Sequence, residues 1–330
     1  PMIAAYAIAG IILGPIGLGL VTDSNSIRAI SDIGIIFLLF IVGLQIDLSK
    51  IRDIGIIATL GGTLQVGITF ILGFLATTLI GFTPINAVYA GLIVAFSSTM
   101  IVIKLLSDKE ELNSLHGRIM VGILIMQDVL VILPLTFMAL PQFSPIVIII
   151  VLLKMLALFA IALFIRKFII PVLFNYAAKS TELLFLLSLS FCFVLAFIAY
   201  LLGFSIAIGA FIGGVTLASL PYYLNILGEI KPLKDFFATI FFVSIGMQVT
   251  MLNFGSTLTP LVVLLLLTIL LKPLIIMILL SAFGYNKRTT FVTAFALGQI
   301  SEFSLILVTQ ARGMISEELF SLTIIAAAIS

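Results

Sequence analysis

The chain has 330 residues, of which 62% are hydrophobic, 16 are Lys or Arg and 14 are Asp or Glu. Soluble domains carry roughly 45–50% apolar and about 25% charged residues. A mean hydropathy of +1.39 with 9% charged residues therefore excludes a soluble enzyme, a disordered chain and a nucleic-acid-binding protein. The composition is that of an all-α, polytopic membrane protein surrounded by lipid.

Apolar stretches follow one another along the whole chain, each near the ~20 residues that a helix needs to cross the hydrocarbon layer. Charged residues, Gly and Pro separate twelve of them, which we predict to be transmembrane helices: 1–20, 29–47, 55–81, 87–106, 119–140, 146–170, 181–202, 205–219, 236–254, 259–283, 291–312 and 319–330. The 205–219 stretch contains Gly209, Gly213 and Gly214, which favours close helix packing.

The distribution of Lys and Arg residues supports this count. If the twelve stretches alternate in direction, one side of the membrane carries eleven of these residues: Lys50, Arg52, Lys109, Arg118, Arg166, Lys167, Lys179, Lys231, Lys234, Lys287 and Arg288. The other side carries only Arg28 and Arg312. Cytoplasmic loops of membrane proteins have the excess of Lys and Arg. We therefore expect a cell-membrane protein whose cytoplasmic loops are 48–54, 107–118, 171–180, 220–235 and 284–290.

Three ionisable side chains lie deep within the predicted spans, namely Asp128, Lys272 and Glu302. Such a group costs at least about 2.5–3.5 kcal/mol at this depth, which makes each of them a candidate for function. Uncharged polar residues lie at the same level of the membrane: Ser97, Ser98, Thr99, Gln127, Gln299 and Ser301.

We expect Asp128 to bind either a proton or a monovalent cation. Burial disfavours an ionised carboxylate, and a nearby ammonium such as that of Lys272 favours it. Hard cations prefer oxygen ligands, which Asp128 and the neighbouring hydroxyls would supply. A proton and a cation that compete for one carboxylate can be exchanged for each other. Helices broken near Ser97 and near Gly298 would be typical of secondary transporters.

Other interpretations of the same residues remain open. Asp128 and Lys272 could be a structural pair that joins two helices, and Glu302 could brace a helix crossing. The sequence has no GxxxxGK[ST] motif for ATP hydrolysis, and its single histidine, His116, excludes an HExxH site. The sequence thus indicates no enzyme and no resident cofactor. A gated cation channel is the main alternative, although no filter sequence such as TVGYG is present.

Several of these segments resemble one known family. The chain is similar over nearly its whole length to the Kef-type monovalent cation/proton antiporters. The resemblance lies in GIILGPIGLGL (10–20), DIGIIFLLFIVGLQIDLSKIR (32–52), AFSSTMIVIKLL (95–106), GILIMQDVLVILPL (122–135), FFVSIGM (241–247) and ALGQISEFSLIL (296–307).

The resemblance implies a homodimer of thirteen-helix protomers, each with two inverted repeats and crossed, discontinuous helices. One further helix before the chain would complete that count, and a cytosolic regulatory domain or subunit would lie beyond Ser330. The implied organisation is a scaffold (1–54 and 181–254), a connecting helix (141–180) and a mobile core (55–140 and 255–330).

The resemblance also assigns roles to the candidate residues. The essential ion-binding carboxylate matches Asp128, with Gln127, Ser97, Ser98 and Thr99 around it, and the basic residue of the later core helix matches Lys272. Glu302, Gln299 and Ser301 would support the site, and the helix breaks would fall at Phe96–Ile101 and Leu297–Phe303. The implied activity is exchange of K⁺ or Na⁺ for protons by elevator-type alternating access. Exchange should be electroneutral, because Gln127 and Asp128 replace the two adjacent acids of electrogenic relatives.

Overall fold

The computed structural model describes residues 2–45, 55–137, 145–177, 180–218, 220, 223–250 and 254–330. Within these ranges every regular element is helical, and the one β contact is an isolated bridge between Arg312 and Ile315. The predicted all-α class is confirmed.

Seventeen α-helices follow one another in the described residues, and short π-helical segments lie between two pairs of them. They are α1 (Met2–Leu13), α2 (Ser24–Gln45), α3 (Gly55–Leu79), α4 (Pro84–Ala95), α5 (Thr99–Asp108), α6 (Leu115–Leu130), α7 (Ile132–Phe137), α8 (Pro145–Phe164), π1 (Ile165–Ile169), α9 (Ile170–Ala177), α10 (Thr181–Leu201), α11 (Ile206–Ala218), α12 (Tyr223–Met247), α13 (Phe254–Leu266), π2 (Leu267–Leu271), α14 (Lys272–Ala282), α15 (Lys287–Ala296), α16 (Glu302–Gln310) and α17 (Glu317–Ile329).

Seven helical stretches of the described chain are long and apolar enough to cross a membrane: Asn25–Gln45, Thr59–Leu79, Pro84–Asp108, Leu115–Thr136, Ile149–Phe174, Thr181–Leu201 and Thr257–Ala282. Three shorter apolar helices accompany them, Ala4–Leu13, Ile206–Ala218 and Asp235–Met247. The described chain therefore contains many helices that suit a multi-pass membrane protein. The number of twelve transmembrane helices stays a prediction.

The chain forms two compact units. The first contains Pro1–Thr22, Ser49–Val131 and Ile245–Ser330, and it holds all the candidate site residues. The second contains Asp23–Leu48 and Ile132–Ser244. The predicted scaffold and core, with the connecting helix between them, stay a prediction.

Prolines explain where several helices change their geometry. A proline lacks the backbone N–H, and its ring clashes with the carbonyl four residues earlier. Pro171 and Pro273 each follow a π-helical segment, in which the wider turn accommodates this defect. Pro134 lies four residues after Leu130, where α6 ends. Prolines thus divide helices that a hydropathy pattern shows as continuous.

Four of the five predicted loops are partly helical, and the fifth, 48–54, lies outside the described residues. Helices α5 and α6 extend into 107–118, and α15 begins within 284–290. Helix α12 begins at Tyr223 and continues through Pro232, although 220–235 was predicted to be a loop. Helix α9 likewise extends to Ala177, within the predicted loop 171–180. The charges and prolines of these segments suggested loops, but Lys and Glu are good helix formers in water.

The second unit confirms the close packing expected of the small residues in 205–219. Helices α2 and α11 meet at Gly43 and Gly214. A Cβ atom at Gly214 would lie 2.1 Å from the Phe40 carbonyl oxygen, and one at Gly43 would lie 2.3 Å from that of Phe211. Only glycine allows two helix backbones to approach this closely.

Candidate functional site

The first interruption in the site unit lies between α4 and α5. Helix α4 ends at Ala95 and α5 begins at Thr99, and both Phe96 and Ser98 have extended backbone conformations. Ser98 caps α5, because its hydroxyl accepts a hydrogen bond from the Ile101 N–H at 3.4 Å. The break lies inside the segment Phe96–Ile101 that the resemblance indicated.

The second interruption separates α15 from α16. Helix α15 ends at Ala296 and α16 begins at Glu302. Ser301 caps α16, and its hydroxyl accepts from the Phe303 N–H at 3.1 Å. This break also lies within its predicted segment, Leu297–Phe303.

The two interruptions are joined directly by hydrogen bonds. The Ser97 hydroxyl donates to the Leu297 carbonyl at 2.8 Å, and the Gln299 side-chain amide donates to the Ser98 carbonyl at 3.4 Å. Close by, the Ser304 hydroxyl donates to the Ile93 carbonyl at 2.8 Å. Because an unpaired backbone group is costly away from water, these contacts allow two unwound segments to lie inside the protein.

Lys272 lies between the two interruptions and is completely buried. Its ammonium donates to the Phe96 carbonyl at 2.6 Å and to the Gln299 carbonyl at 2.7 Å. The C-terminal ends of α4 and α15 carry partial negative charge, which a cation stabilises. Lys272 therefore supplies positive charge and two hydrogen bonds where the two half-helices end.

Gly298 permits the close approach of the second interruption to the helix that carries Lys272. A Cβ atom at Gly298 would lie 2.7 Å from Cγ of Pro273. Pro273 directly follows Lys272 at the start of α14. Any larger residue at position 298 would therefore push the second interruption away from Lys272.

Asp128 lies near the end of α6, beside the first interruption. Its side chain is buried, with 5% of its surface exposed. The Thr99 hydroxyl, at the start of α5, lies 3.0 Å from Oδ1 and 3.2 Å from Oδ2 of Asp128. A carboxylate and a hydroxyl next to an unwound backbone segment are the oxygen ligands that a hard cation prefers.

Gln127 contacts the backbone of the same interruption. Its Oε1 accepts from the Ser97 N–H at 2.8 Å, and its Nε2 donates to Oε1 of Gln65 on α3. Gln65 in turn donates to the Ala95 carbonyl at 3.0 Å and to the Thr69 hydroxyl at 3.2 Å. Two amide side chains from two helices thus hold the start of the unwound segment, next to the end of α4.

Glu302 is buried at the first position of α16, with 5% of its surface exposed. The N-terminal end of a helix carries partial positive charge, which stabilises a carboxylate. Glu302 therefore complements α16 in the way that Lys272 complements α4 and α15.

The structure brings the candidate residues together around the two interruptions. Hydrogen bonds at this place involve Ser97, Ser98, Thr99, Gln127, Asp128, Lys272, Gln299 and Ser301, and Glu302 adjoins Ser301. Sequence reasoning missed Gln65, Ser304 and the Phe96 carbonyl. The signal for Gln65 was present, since an amide in an apolar span requires a hydrogen-bonding partner.

Two interrupted helices that meet among buried polar side chains define the architecture of a helical, multi-pass membrane transport protein. The family model for the transmembrane sodium/hydrogen exchangers matches residues 1–330. The chain belongs to this family.

Named relatives agree with this assignment. The chain is 31% identical over 329 residues to K(+) efflux antiporter 6 of Arabidopsis thaliana, covering 95% of this chain and 54% of that protein. It is 29% identical over 320 residues to the glutathione-regulated potassium-efflux system protein KefC of Klebsiella pneumoniae, covering 94% and 51%. The chain spans about half the length of these relatives.

A solved structure has the same fold. The sodium proton antiporter MjNhaP1 from Methanocaldococcus jannaschii, determined at pH 8, superposes with a TM-score of 0.70 over 100% of this chain and 87% of that one. Sequence identity is 16%, so the likeness concerns the fold.

Proposed function

We propose that this chain exchanges a monovalent cation for protons across the cell membrane, and that both ions bind at Asp128. The observation that carries the proposal is the contact of the Asp128 carboxylate with the Thr99 hydroxyl at 3.0 Å, beside two joined helix interruptions. The carboxylate can hold a proton covalently or a cation electrostatically, and it cannot hold both at once. Binding of one ion thus requires release of the other.

The neighbouring groups suit this competition. Lys272 donates to both interruptions and the helix ends carry fixed partial charges, and we propose that the charge of the Asp128 side chain changes when a cation replaces a proton. The Thr99 hydroxyl contacts Asp128 directly, and we propose that the Ser98 carbonyl and the Gln127 amide oxygen contribute further ligands. Gln299, Ser301 and Glu302 would keep the second interruption in place.

The names of the relatives indicate which cations to test. Two are potassium-efflux proteins, and the structural neighbour is a sodium proton antiporter. We propose K⁺ as the first candidate and Na⁺ as the second. One carboxylate that carries either one cation or one proton gives electroneutral exchange.

Alternating access would follow from the cost of moving a bare charge through lipid. An ionised Asp128 without a cation should cross poorly, whereas the neutralised site can cross. We propose an elevator-type movement of the core (55–140 and 255–330) against the scaffold (1–54 and 181–254) in a homodimer. The cytoplasmic loops inferred from Lys and Arg residues set the orientation, and a regulatory domain or subunit would act from the cytoplasm.

Ion-coupled transport by purified protein in proteoliposomes tests this proposal. Protein reconstituted with an internal pH indicator should move protons when external K⁺ or Na⁺ is added, with saturation and a fixed cation-to-proton ratio. Cation flux that neither moves protons nor saturates would contradict exchange and would favour the gated channel.

A further inference from the structure

Two consecutive peptide units of the first interruption are held by three side chains from three different helices. Gln65 on α3 donates to the Ala95 carbonyl, and Lys272 on α14 donates to the Phe96 carbonyl. Gln127 on α6 accepts from the Ser97 N–H. Lys272 and Gln127 belong to the site already described, whereas Gln65 is more distant from Asp128 along this chain of contacts.

The hydrogen bonds fix the orientation of both amides. The Ala95 carbonyl can only accept, so the group of Gln65 that faces it must be the NH₂. Oε1 of Gln65 then faces Gln127, which must present its own NH₂, so Oε1 of Gln127 faces the Ser97 N–H. Flipping either amide would place acceptor against acceptor and donor against donor.

This arrangement connects Gln65 to the ion site through the backbone. Ser97 is two residues before Thr99, whose hydroxyl contacts Asp128, and one residue before Ser98, whose carbonyl accepts from Gln299. A shift of the peptide units at 95–97 would therefore move the Thr99 hydroxyl relative to the carboxylate. Gln65 is itself buried, with 1% of its surface exposed.

We propose that Gln65 is a positioning residue for cation exchange, which acts through Gln127 and the Ala95 carbonyl to hold the unwound segment in its ion-binding geometry. This inference rests on the proposed function, because its main readout is the affinity of the exchanger for its cation. Gln65 does not contact the ion. It fixes the backbone from which Thr99 reaches Asp128.

The Gln65→Met variant tests the proposal, because Met has a similar size and no hydrogen-bonding amide. In reconstituted protein we expect the KM for the cation to rise about tenfold, as loss of a buried hydrogen bond allows the segment to shift. A purely structural role would lower the yield of folded protein and leave KM unchanged. An unchanged KM would overturn the proposal.

The Gln65→Glu variant adds a pH-dependent rescue. A protonated carboxyl group at position 65 can donate to the Ala95 carbonyl while it accepts from Gln127, which restores both contacts. An ionised one cannot donate to that carbonyl. The ratio of the KM of this variant to the wild-type KM should approach one as the pH falls and should increase as the pH rises. The same ratio for Gln65→Met should not change with pH. Identical ratios for both variants at every pH would overturn the hydrogen-bonding role.

Thr69→Val provides the matched control. Thr69 is also buried on α3, and in the described residues its hydroxyl hydrogen-bonds to Gln65 rather than to the unwound segment. Its removal should leave KM within about twofold of wild type, a difference small beside the tenfold effect of one lost hydrogen bond. A Thr69→Val defect as large as that of Gln65→Met would show general damage to α3 and would overturn the proposal.

Failure of this inference can be distinguished from failure of the proposed function. If wild-type protein exchanges ions and Gln65→Met has a normal KM, only the role of Gln65 is wrong. If wild-type protein shows no exchange, the proposed function is wrong. Thermal unfolding then still tests the hydrogen bond between the Gln65 and Gln127 side chains. The Gln65→Met, Gln127→Leu double variant should then lose less in Tm than the sum of the single variants. Additive losses would contradict the coupling of the two amides.

Discussion

The ammonium of Lys272 donates to the backbone carbonyl of Phe96 at 2.6 Å, at the point where the first interrupted helix ends. The same ammonium donates to the Gln299 carbonyl of the second interruption. One side chain therefore satisfies acceptors from both breaks, which gives Lys272 a structural role in addition to any role in ion binding.

Replacing Lys272 with Met should destabilise the protein strongly. Two buried carbonyls lose their donor, and each unsatisfied group costs about 1–3 kcal/mol. We expect the free energy of unfolding in detergent to fall by about 2–6 kcal/mol. Lys154→Met is the control, because Lys154 is exposed on α8 and should tolerate the change. Equal unfolding midpoints for the two variants would contradict the assigned role of Lys272.

Gly298→Ala should disturb the second interruption. The new methyl group would lie 2.7 Å from Cγ of Pro273, so the break must shift away from α14 and Lys272. We expect slower exchange and a lower Tm. Gly67→Ala is the matched control, since a Cβ there meets no atom within 4 Å and should be neutral or slightly stabilising. Wild-type exchange and Tm in Gly298→Ala would show that the site tolerates this displacement.

Arg312 joins several elements of the site unit at the end opposite to the predicted cytoplasmic loops. It contacts both carboxylate oxygens of Glu317 at 3.1 and 3.0 Å, the Gln248 side chain, and the Phe320 ring at 4.8 Å from its centroid. Arg312→Gln should reduce stability by about 1–2 kcal/mol, and high salt should reduce the difference because the ion pair is partly exposed.

Unfolding of Arg312→Gln at low and high salt checks this expectation, with Arg118→Gln as the control at an exposed position. A difference between wild type and Arg312→Gln that does not depend on salt would mean that packing against Phe320, rather than charge, provides the stabilisation.

The sequence singled out residues that the structure places around the two interruptions, but it did not predict the contacts among them, and their roles in ion binding stay a prediction. Asp128, Lys272 and Glu302 stood out because charged groups are rare and costly at membrane depth. A sequence does not display backbone carbonyls, so the acceptors of Lys272 at Phe96 and Gln299 could not be predicted. Gln65 was missed because an uncharged amide stands out less than a charge, although it too requires partners.

The same limit applies to the fold. Hydropathy located most helices because their length is set by the thickness of the membrane. The predicted span that begins at 236 agrees with the apolar segment Asp235–Met247, but the helix itself begins at Tyr223, because a helix can continue beyond its apolar part without any change in its backbone hydrogen bonding. The π-helical segments before Pro171 and Pro273 have no hydropathy signal, since they change the turn and not the composition.

Exchange should carry no net charge across the membrane. One cation or one proton neutralises Asp128 in each half of the cycle, so protein on a solid-supported membrane should give no sustained current after a jump in K⁺ or Na⁺ concentration. A cation-dependent current that Asp128→Asn abolishes would refute electroneutral stoichiometry and leave exchange itself intact.

The most direct measurement is cation-driven proton movement by Asp128→Asn in proteoliposomes. Asn keeps the size of the side chain and can still contact Thr99, but it neither binds a proton at neutral pH nor carries the charge that a cation requires. The variant should fold with a Tm close to that of wild type and exchange neither K⁺ nor Na⁺ for protons. Asp108→Asn, an exposed position at the end of α5, should exchange normally. Saturable exchange by folded Asp128→Asn would contradict the account.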